Sequence, residues 1–522
     1  MTDMTWMFNV IGFSRLILLL LWVAVFFVAP LHLLLRRVFG GRFSVQEHVV
    51  IAFAASVMLS VPVGLLHKWT GVAYSRSSIV ICFSVLYLCM GWAAWRWGAK
   101  PDGESSCSLR WERIAGSVLL VFAVVWVVTL VLGTRGQSTS LRGDDRVHLC
   151  MIREVLLVGP FPDKLFCFKA FFPNWYAGGF SNAAAIWSVV AGFRAGDVLR
   201  LVPVLISVFW ILSIHALARR VSGSMAGALV ATFLALGISG GLNETMVPFV
   251  IFLNPWALSW VFVAAILIVF LAFISKPGME WQQSVLLGLL AGTAILVHPL
   301  LLWRFVPFIV PAALILVLRK RRERIALSAL CLGGVLAVAL VAAWAVPLYL
   351  RYGFWDKLPF SEIVQLYGPQ APPVVGWIAA RLFYDPTLMD VLDQTEKNVG
   401  FLPPVFCLLG VVGFWRVRPR TGPVLAVLWF MGTFVAVASG WTSRPTRLFE
   451  FLFFSMIIVA AVGYCYLEAL VAALPRRVPS SRELWCGSDR SIGAAVRYWR
   501  AQTLSGLGIP CPRSRQFSRG GR

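Results

Sequence analysis

This sequence predicts an all-α polytopic membrane protein, on three observations. Of its 522 residues, 59% are hydrophobic and 13% charged, where a soluble domain carries roughly 45–50% apolar and about 25% charged residues. The mean hydropathy is +0.81. The apolar residues also fall into separate runs, many of them long enough to cross a hydrocarbon core about 30 Å thick, which takes roughly 20 residues of helix.

The first run, Ile11 to Leu35, is too long for the apolar region of a signal peptide and lacks a small-residue cleavage site, so it reads as a retained helix. The next are Val49–Leu66, Ser78–Trp95 and Ile114–Leu132, then Val198–Leu217, Met225–Gly241, Ala257–Ile274, Ser284–Val297, Leu302–Leu318 and Ile325–Leu348. Val405–Trp415, Val424–Ala438 and Leu448–Leu470 complete the series. Trp175–Val190 is shorter and is interrupted by Gly178, Gly179, Ser181 and Asn182. Lys and Arg accumulate on the cytoplasmic side of short loops. The basic clusters at 36–42, 96–113, 219–220, 319–324 and 416–420 all fall on one side only if Trp175–Val190 does not cross. That stretch is then a re-entrant or interfacial helix. The expected topology has about thirteen crossings, the N-terminus outside and the C-terminus in the cytoplasm.

Three regions follow: a four-helix N-terminal part (1–133), a main transmembrane part (134–474) with outer loops at 134–197 and 349–404, and an Arg-rich cytoplasmic tail (475–522) suited to anionic headgroups. Net charge is +23, from 46 basic and 23 acidic residues. In a soluble protein that would suggest nucleic acid; here it is spread over short loops, and no nucleic-acid partner is expected. The ten cysteines include no C-x-x-C, and only Cys150 and Cys167 share a polar loop, as a disulfide or as two buried thiols.

The segment most informative about chemistry is Arg142-Gly143-Asp144-Asp145-Arg146-Val147-His148, which continues through Arg153 and Glu154. Val147, Met151, Val155 and Val158 recur at helical spacing, so Asp144 or Asp145 can cap a short amphipathic helix lying on the membrane. His148 stands one turn from either aspartate. Adjacent aspartates at a membrane surface are costly to keep charged unless they bind something; an N-cap with solvated charges is the plain alternative.

An acidic pair opening the large outer loop, followed by a His and a juxtamembrane helix, resembles the GT-C superfamily of membrane glycosyltransferases, and its actinobacterial arabinofuranosyltransferase branch most closely. Phe171-Phe172-Pro173-Asn174-Trp175-Tyr176 and Asp197-Val198-Leu199-Arg200-Leu201-Val202-Pro203 are similar to later parts of that pattern. The resemblance implies a GT-C-like helical bundle in the membrane. It also implies transfer of a sugar from a polyprenyl-phosphate donor to a cell-envelope glycan, lipid or protein acceptor on the extracytoplasmic face.

Such a transfer has oxocarbenium character. It needs one carboxylate to take the acceptor proton and cations to hold the leaving phosphate. Asp144 or Asp145 is the expected base, the other binding the acceptor or a divalent cation (Mg, Mn or Ca). The expected substrate-binding residues are His148, Arg153, Glu154, Glu244, His298, Arg444 and Arg447. His298 stands at a helix end, where a structural histidine is the alternative. Arg444 and Arg447 are cations on the side opposite to the positive-inside expectation, where lipid-linked phosphate or surface headgroups would meet them. The loop 349–404 mixes acidic and aromatic residues, as a sugar site or any solvated membrane loop would. No G-x-x-x-x-G-K-[ST] occurs, so no nucleotide cofactor is expected. A transporter or flippase of lipid-linked glycans, or an inactive scaffold, are the competing readings.

Overall fold

The structure, a computed structural model, describes residues 14–97, 143–162, 178–193, 195–240, 255–275, 279–298, 323–352, 402–417, 421–438 and 445–473, and parts of 114–125. Among these residues every regular element is a helix. In order they are α1 (Ser14–Arg42), α2 (Val45–Thr70), α3 (Arg76–Trp97), α4 (Gly143–Val158), α5 (Gly179–Ala191), α6 (Ala195–Ser222), α7 (Met225–Gly240), α8 (Pro255–Ser275), α9 (Glu280–Val297), α10 (Glu323–Tyr352), α11 (Leu402–Gly413), α12 (Thr421–Ala438) and α13 (Pro445–Ala473). Eight are long and apolar enough to cross a bilayer and four more are apolar but shorter; the chain is a multi-pass helical membrane protein. The expected crossing at Leu302–Leu318, and most of that at Ile114–Leu132, lie outside the described residues. Each of the other expected crossings coincides with a helix.

Local chemistry sets the helix boundaries. In α1 the π-helical turn Val23–Val28 directly precedes Ala29-Pro30; a proline offers no N–H, and widening the turn re-seats the carbonyls it leaves without a donor. Ser44 and Glu47 form a reciprocal capping box at the start of α2, with the Ser44 N–H donating to Glu47 Oε2 at 2.7 Å and the Glu47 N–H to Ser44 Oγ at 3.3 Å. Gly71, in the left-handed region at φ +68°, closes the same helix.

Burial orders the bundle from inside out. The apolar stretches of α6 and α8 are 89% buried and that of α2 83%, against 17% for α3 and α10. The first three are apolar all round and occupy the centre. α3 turns Ile81, Val85, Leu88, Trp92 and Trp95 outward, as a lipid-facing helix does. Lipid tails are as apolar as Leu, so helices associate through close backbone approach rather than hydrophobic gain. Gly288 of α9 lies directly against the Gly333 backbone of α10, and a Cβ added at Gly292 would sit 2.9 Å from the Ala337 carbonyl. Gly463 of α13 meets the Phe406 carbonyl of α11 in the same way. The larger buried cluster runs from Leu16 to Val462, so helices on both sides of residue 133 contribute to it.

The two ends of the bundle differ. At one end Arg220 donates to the Arg42 carbonyl at 3.1 Å and pairs with Glu47 at 3.5 Å. Gly422 abuts Val221 there, and Arg416 lies over the Tyr466 ring at 5.8 Å. The basic groups around 42, 220 and 416 are thus gathered together, as a common side requires. At the opposite end are the last turn of α2, helices α4 and α5, the end of α9 at His298, and an Arg15–Asp197 ion pair of 2.8 Å between α1 and α6.

Candidate functional site

The expected site residues belong to this opposite end, which is built on α5. That helix has 13 residues, about 20 Å of length and less than a bilayer core, and all of them except Val189 are buried. It is the stretch expected not to cross. Its tight seating has a local cause: a Cβ at Gly179 would stand 2.8 Å from the Leu296 carbonyl at the end of α9. Only a glycine lets the two backbones meet.

Helix α4 lies on α5 and α6. Among its described side chains, His148, Met151, Ile152, Glu154 and Val155 are buried, while Arg153, Leu157 and Val158 are exposed. Of the expected stripe, Met151 and Val155 are buried, Val158 is exposed, and the Val147 side chain lies outside the described residues. The face that packs is rotated toward His148 and Ile152, because Phe180 and α6 approach from that side and hydropathy spacing does not say where a neighbour stands. The helix already includes Gly143, so Asp144 and Asp145 lie within helical turns and neither is the N-cap. Asp at this end is favoured electrostatically by the helix dipole. Their side chains lie outside the described residues.

His148 is brought edge-on against Phe180, with ring centroids 5.7 Å apart and planes at 87°. His298 follows α9 directly in extended backbone (φ −155°, ψ 106°); its N–H donates to the Ala294 carbonyl at 2.9 Å and its side chain is buried. Val297, its neighbour, touches the Gly179 position. His148 thus packs on Phe180, and the backbone that leads into His298 packs on Gly179. Arg153 points away from these contacts, into the exposed surface. Arg447 is in the first turn of α13 with its side chain outside the described residues, and Glu244 and Arg444 lie outside them altogether. Among the described residues no three His, Cys, Asp or Glu side chains come together as a metal site; the divalent cation remains an expectation of the sequence. Cys150 is disulfide-bonded, whereas Cys82, Cys89, Cys331, Cys407 and Cys465 are free. Cys167 lies outside the described residues.

A polar floor beneath α5 escaped the sequence reading. Asn182 is fully buried; its Nδ2 donates to the Ser60 carbonyl at 2.6 Å and its Oδ1 accepts from the Tyr74 hydroxyl at 2.9 Å. Burial holds the Tyr74 hydroxyl well above the ordinary phenol pKa, so it stays a donor. His67 hydrogen-bonds the Val63 carbonyl through Nδ1 (2.8 Å) and Ser78 through Nε2 (3.0 Å), with its ring edge-on to Tyr74. Lys68 donates to the Phe161 carbonyl at 2.7 Å. The available signal was the polar tail His67-Lys68 just past the apolar run, and Asn182 in the stretch that follows Gly178 and Gly179, which read as an interruption rather than a partner.

Residues 23–510 match a protein family described as a family of unknown function, DUF6541. No curated protein matches the chain, and no solved structure does.

Proposed function

The chain belongs to the DUF6541 family, and from its site geometry we propose that it is a membrane glycosyltransferase. In this reading it transfers a sugar from a polyprenyl-phosphate donor to a cell-envelope glycan, lipid or protein acceptor on the extracytoplasmic face. One observation carries it: the helix that bears Asp144 and Asp145 is clasped onto a short buried helix at the end of the bundle away from the gathered arginines, beside His148 and His298. By the positive-inside rule the arginine end is cytoplasmic and the acidic helix lies outside. The Cys150 disulfide supports that side, since disulfides persist in oxidising compartments. A lipid-linked donor suits an enzyme that works where nucleotides are absent.

One of the two aspartates takes the proton of the acceptor hydroxyl as its oxygen attacks the anomeric carbon, and the phosphate departs with the bonding pair. A sugar phosphate leaves as an anion, so neutralising its charge matters more than protonating it. Arg444 and Arg447 are the proposed cations, with Glu244 a weaker candidate for the acceptor side.

The test is transfer of radiolabelled sugar from a panel of polyprenyl-phosphate donors in membranes containing the protein. Asp144→Asn/Asp145→Asn is expected to cut transfer by about 10²- to 10⁴-fold while leaving the protein folded. Full activity in the double variant overturns the reading. Transport is the second reading, and one observation favours it. His215 is fully buried within α6 and, among the described residues, neither ring nitrogen has a hydrogen-bond partner; polar groups inside spans often mark a pathway. Donor-independent flipping of a lipid-linked glycan, lost in His215→Phe, would favour it.

A further inference from the structure

We infer that Phe161 is a positioning residue, the rivet that fixes the orientation of α4 on the bundle; its effect on catalysis rests on the proposed transferase reading, its mechanical role does not. Helix α4 runs out at Val158, and Gly159 (φ +118°) and Phe161 (φ +49°), on either side of Pro160, turn the chain. A phenylalanine in the left-handed region is costly and persists where its surroundings over-determine it. Here three contacts do so.

The ring is 2% exposed and fills a slot that exists because two residues have no side chain. A Cβ at Gly64 would stand 2.8 Å from ring atom Cε2 and closer still to the Asn182 amide, and one at Gly178 would stand 3.1 Å from Cδ1 of the ring. Val61 and Leu65 of α2 and Leu296 of α9 close the slot. The backbone carbonyl of the same residue accepts from Lys68 Nζ at 2.7 Å. One residue is therefore held by α2, by the lead-in to α5 and by the end of α9, while the C-terminal turn of α4 leaves Leu157 and Val158 exposed. Turning α4 about its axis would drag this ring from its slot. The orientation of the turn that bears Asp144, Asp145 and His148 is thus set by a side chain at the other end of the helix.

The experiment is hydrogen exchange, read by mass spectrometry, on the full chain in lipid nanodiscs. In Phe161→Ala the amides of Met151 to Val158 are expected to exchange about tenfold faster, or more, than in the wild type, with those of α6 and α8 unchanged. Gly178→Ala keeps the phenylalanine but crowds its slot, because the added Cβ would meet the Phe161 ring alone at 3.1 Å, and accelerates the same amides by less. Phe161→Leu, which half fills the slot, lies between. Wild-type exchange of α4 in both Phe161→Ala and Gly178→Ala overturns the proposal. Acceleration throughout the bundle also overturns it, because Phe161 would then be a general core residue.

In the transfer assay Phe161→Ala lowers kcat by about tenfold to 100-fold, as a misplaced group does, with KM within about twofold. Unchanged kcat overturns the positioning role in catalysis. Asp144→Asn/Asp145→Asn should leave exchange at wild-type rates. Local acceleration in the Phe161 variants, together with no transfer in any variant or wild type, upholds the rivet and removes the transferase reading.

Discussion

Asn182 and Tyr74 are the polar pair on which the seating of α5 depends. Asn182→Ala removes the donor to the Ser60 carbonyl and the acceptor of the Tyr74 hydroxyl. Leaving buried polar groups unmatched costs about 1–3 kcal/mol, and thermal unfolding in detergent would read it as a lowered Tm. Tyr74 adds a dependence on pH. Its folded-state pKa is raised by burial, so the folded protein keeps a proton that the unfolded chain gives up near about pH 10. No stability is lost on this account below that pH; above it, stability falls as pH rises. Tyr74→Phe should be less stable than wild type at neutral pH and should lose less on going from about pH 9 to 11. An identical alkaline slope in the two proteins would contradict the assignment. These residues were not legible as a pair: a Tyr in a short loop and an Asn shortly after two glycines acquire meaning only when helices bring them within 2.9 Å.

At the level of elements, α5 depends on glycine where it meets α9. A Cβ at Gly179 would press on the Leu296 carbonyl, and backbone on another helix does not yield as a flexible side chain does. Gly179→Val is expected to destabilise by about 1–3 kcal/mol and to loosen His298, which follows on the same strand of backbone. Cysteine introduced at position 298 would then react faster with a thiol reagent than in the Gly179 protein; equal rates would count against the contact. The helices themselves were legible, because an apolar run bounded by polar residues carries its own length and ends. The rotation of α4 was not. Met151 and Val155 are buried as their spacing predicts, but a helical period admits Val158 as readily as His148 and Ile152, and the choice belongs to Phe180 and α6.

For the whole molecule, the gathering of the basic groups near Arg42, Arg220 and Arg416 at one end gives a polarity that can be measured. With the exposed free cysteines Cys89 and Cys331 replaced by serine, a membrane-impermeant maleimide should label Leu157→Cys in intact cells. Trp415→Cys, beside Arg416, should be labelled only after permeabilisation. The reverse pattern would put α4 in the cytoplasm and remove the basis for an outer-face transferase.

Composition and hydropathy settle that the chain is helical and lives in a membrane, because the free energy of placing a residue in lipid is local and adds along a run. The grouping of Arg42, Arg220 and Arg416 at one end of the bundle was legible for the same reason, since alternation along the chain sorts loops into two sets. The construction of the site was decided in space. Lys68 and Phe161 are 93 positions apart and Tyr74 and Asn182 are 108 apart. Gly64 leaves room for a ring that no nearby residue supplies. Such contacts depend on the register of one helix against another, and register is set by the fit of many side chains at once rather than by the pattern of any single segment.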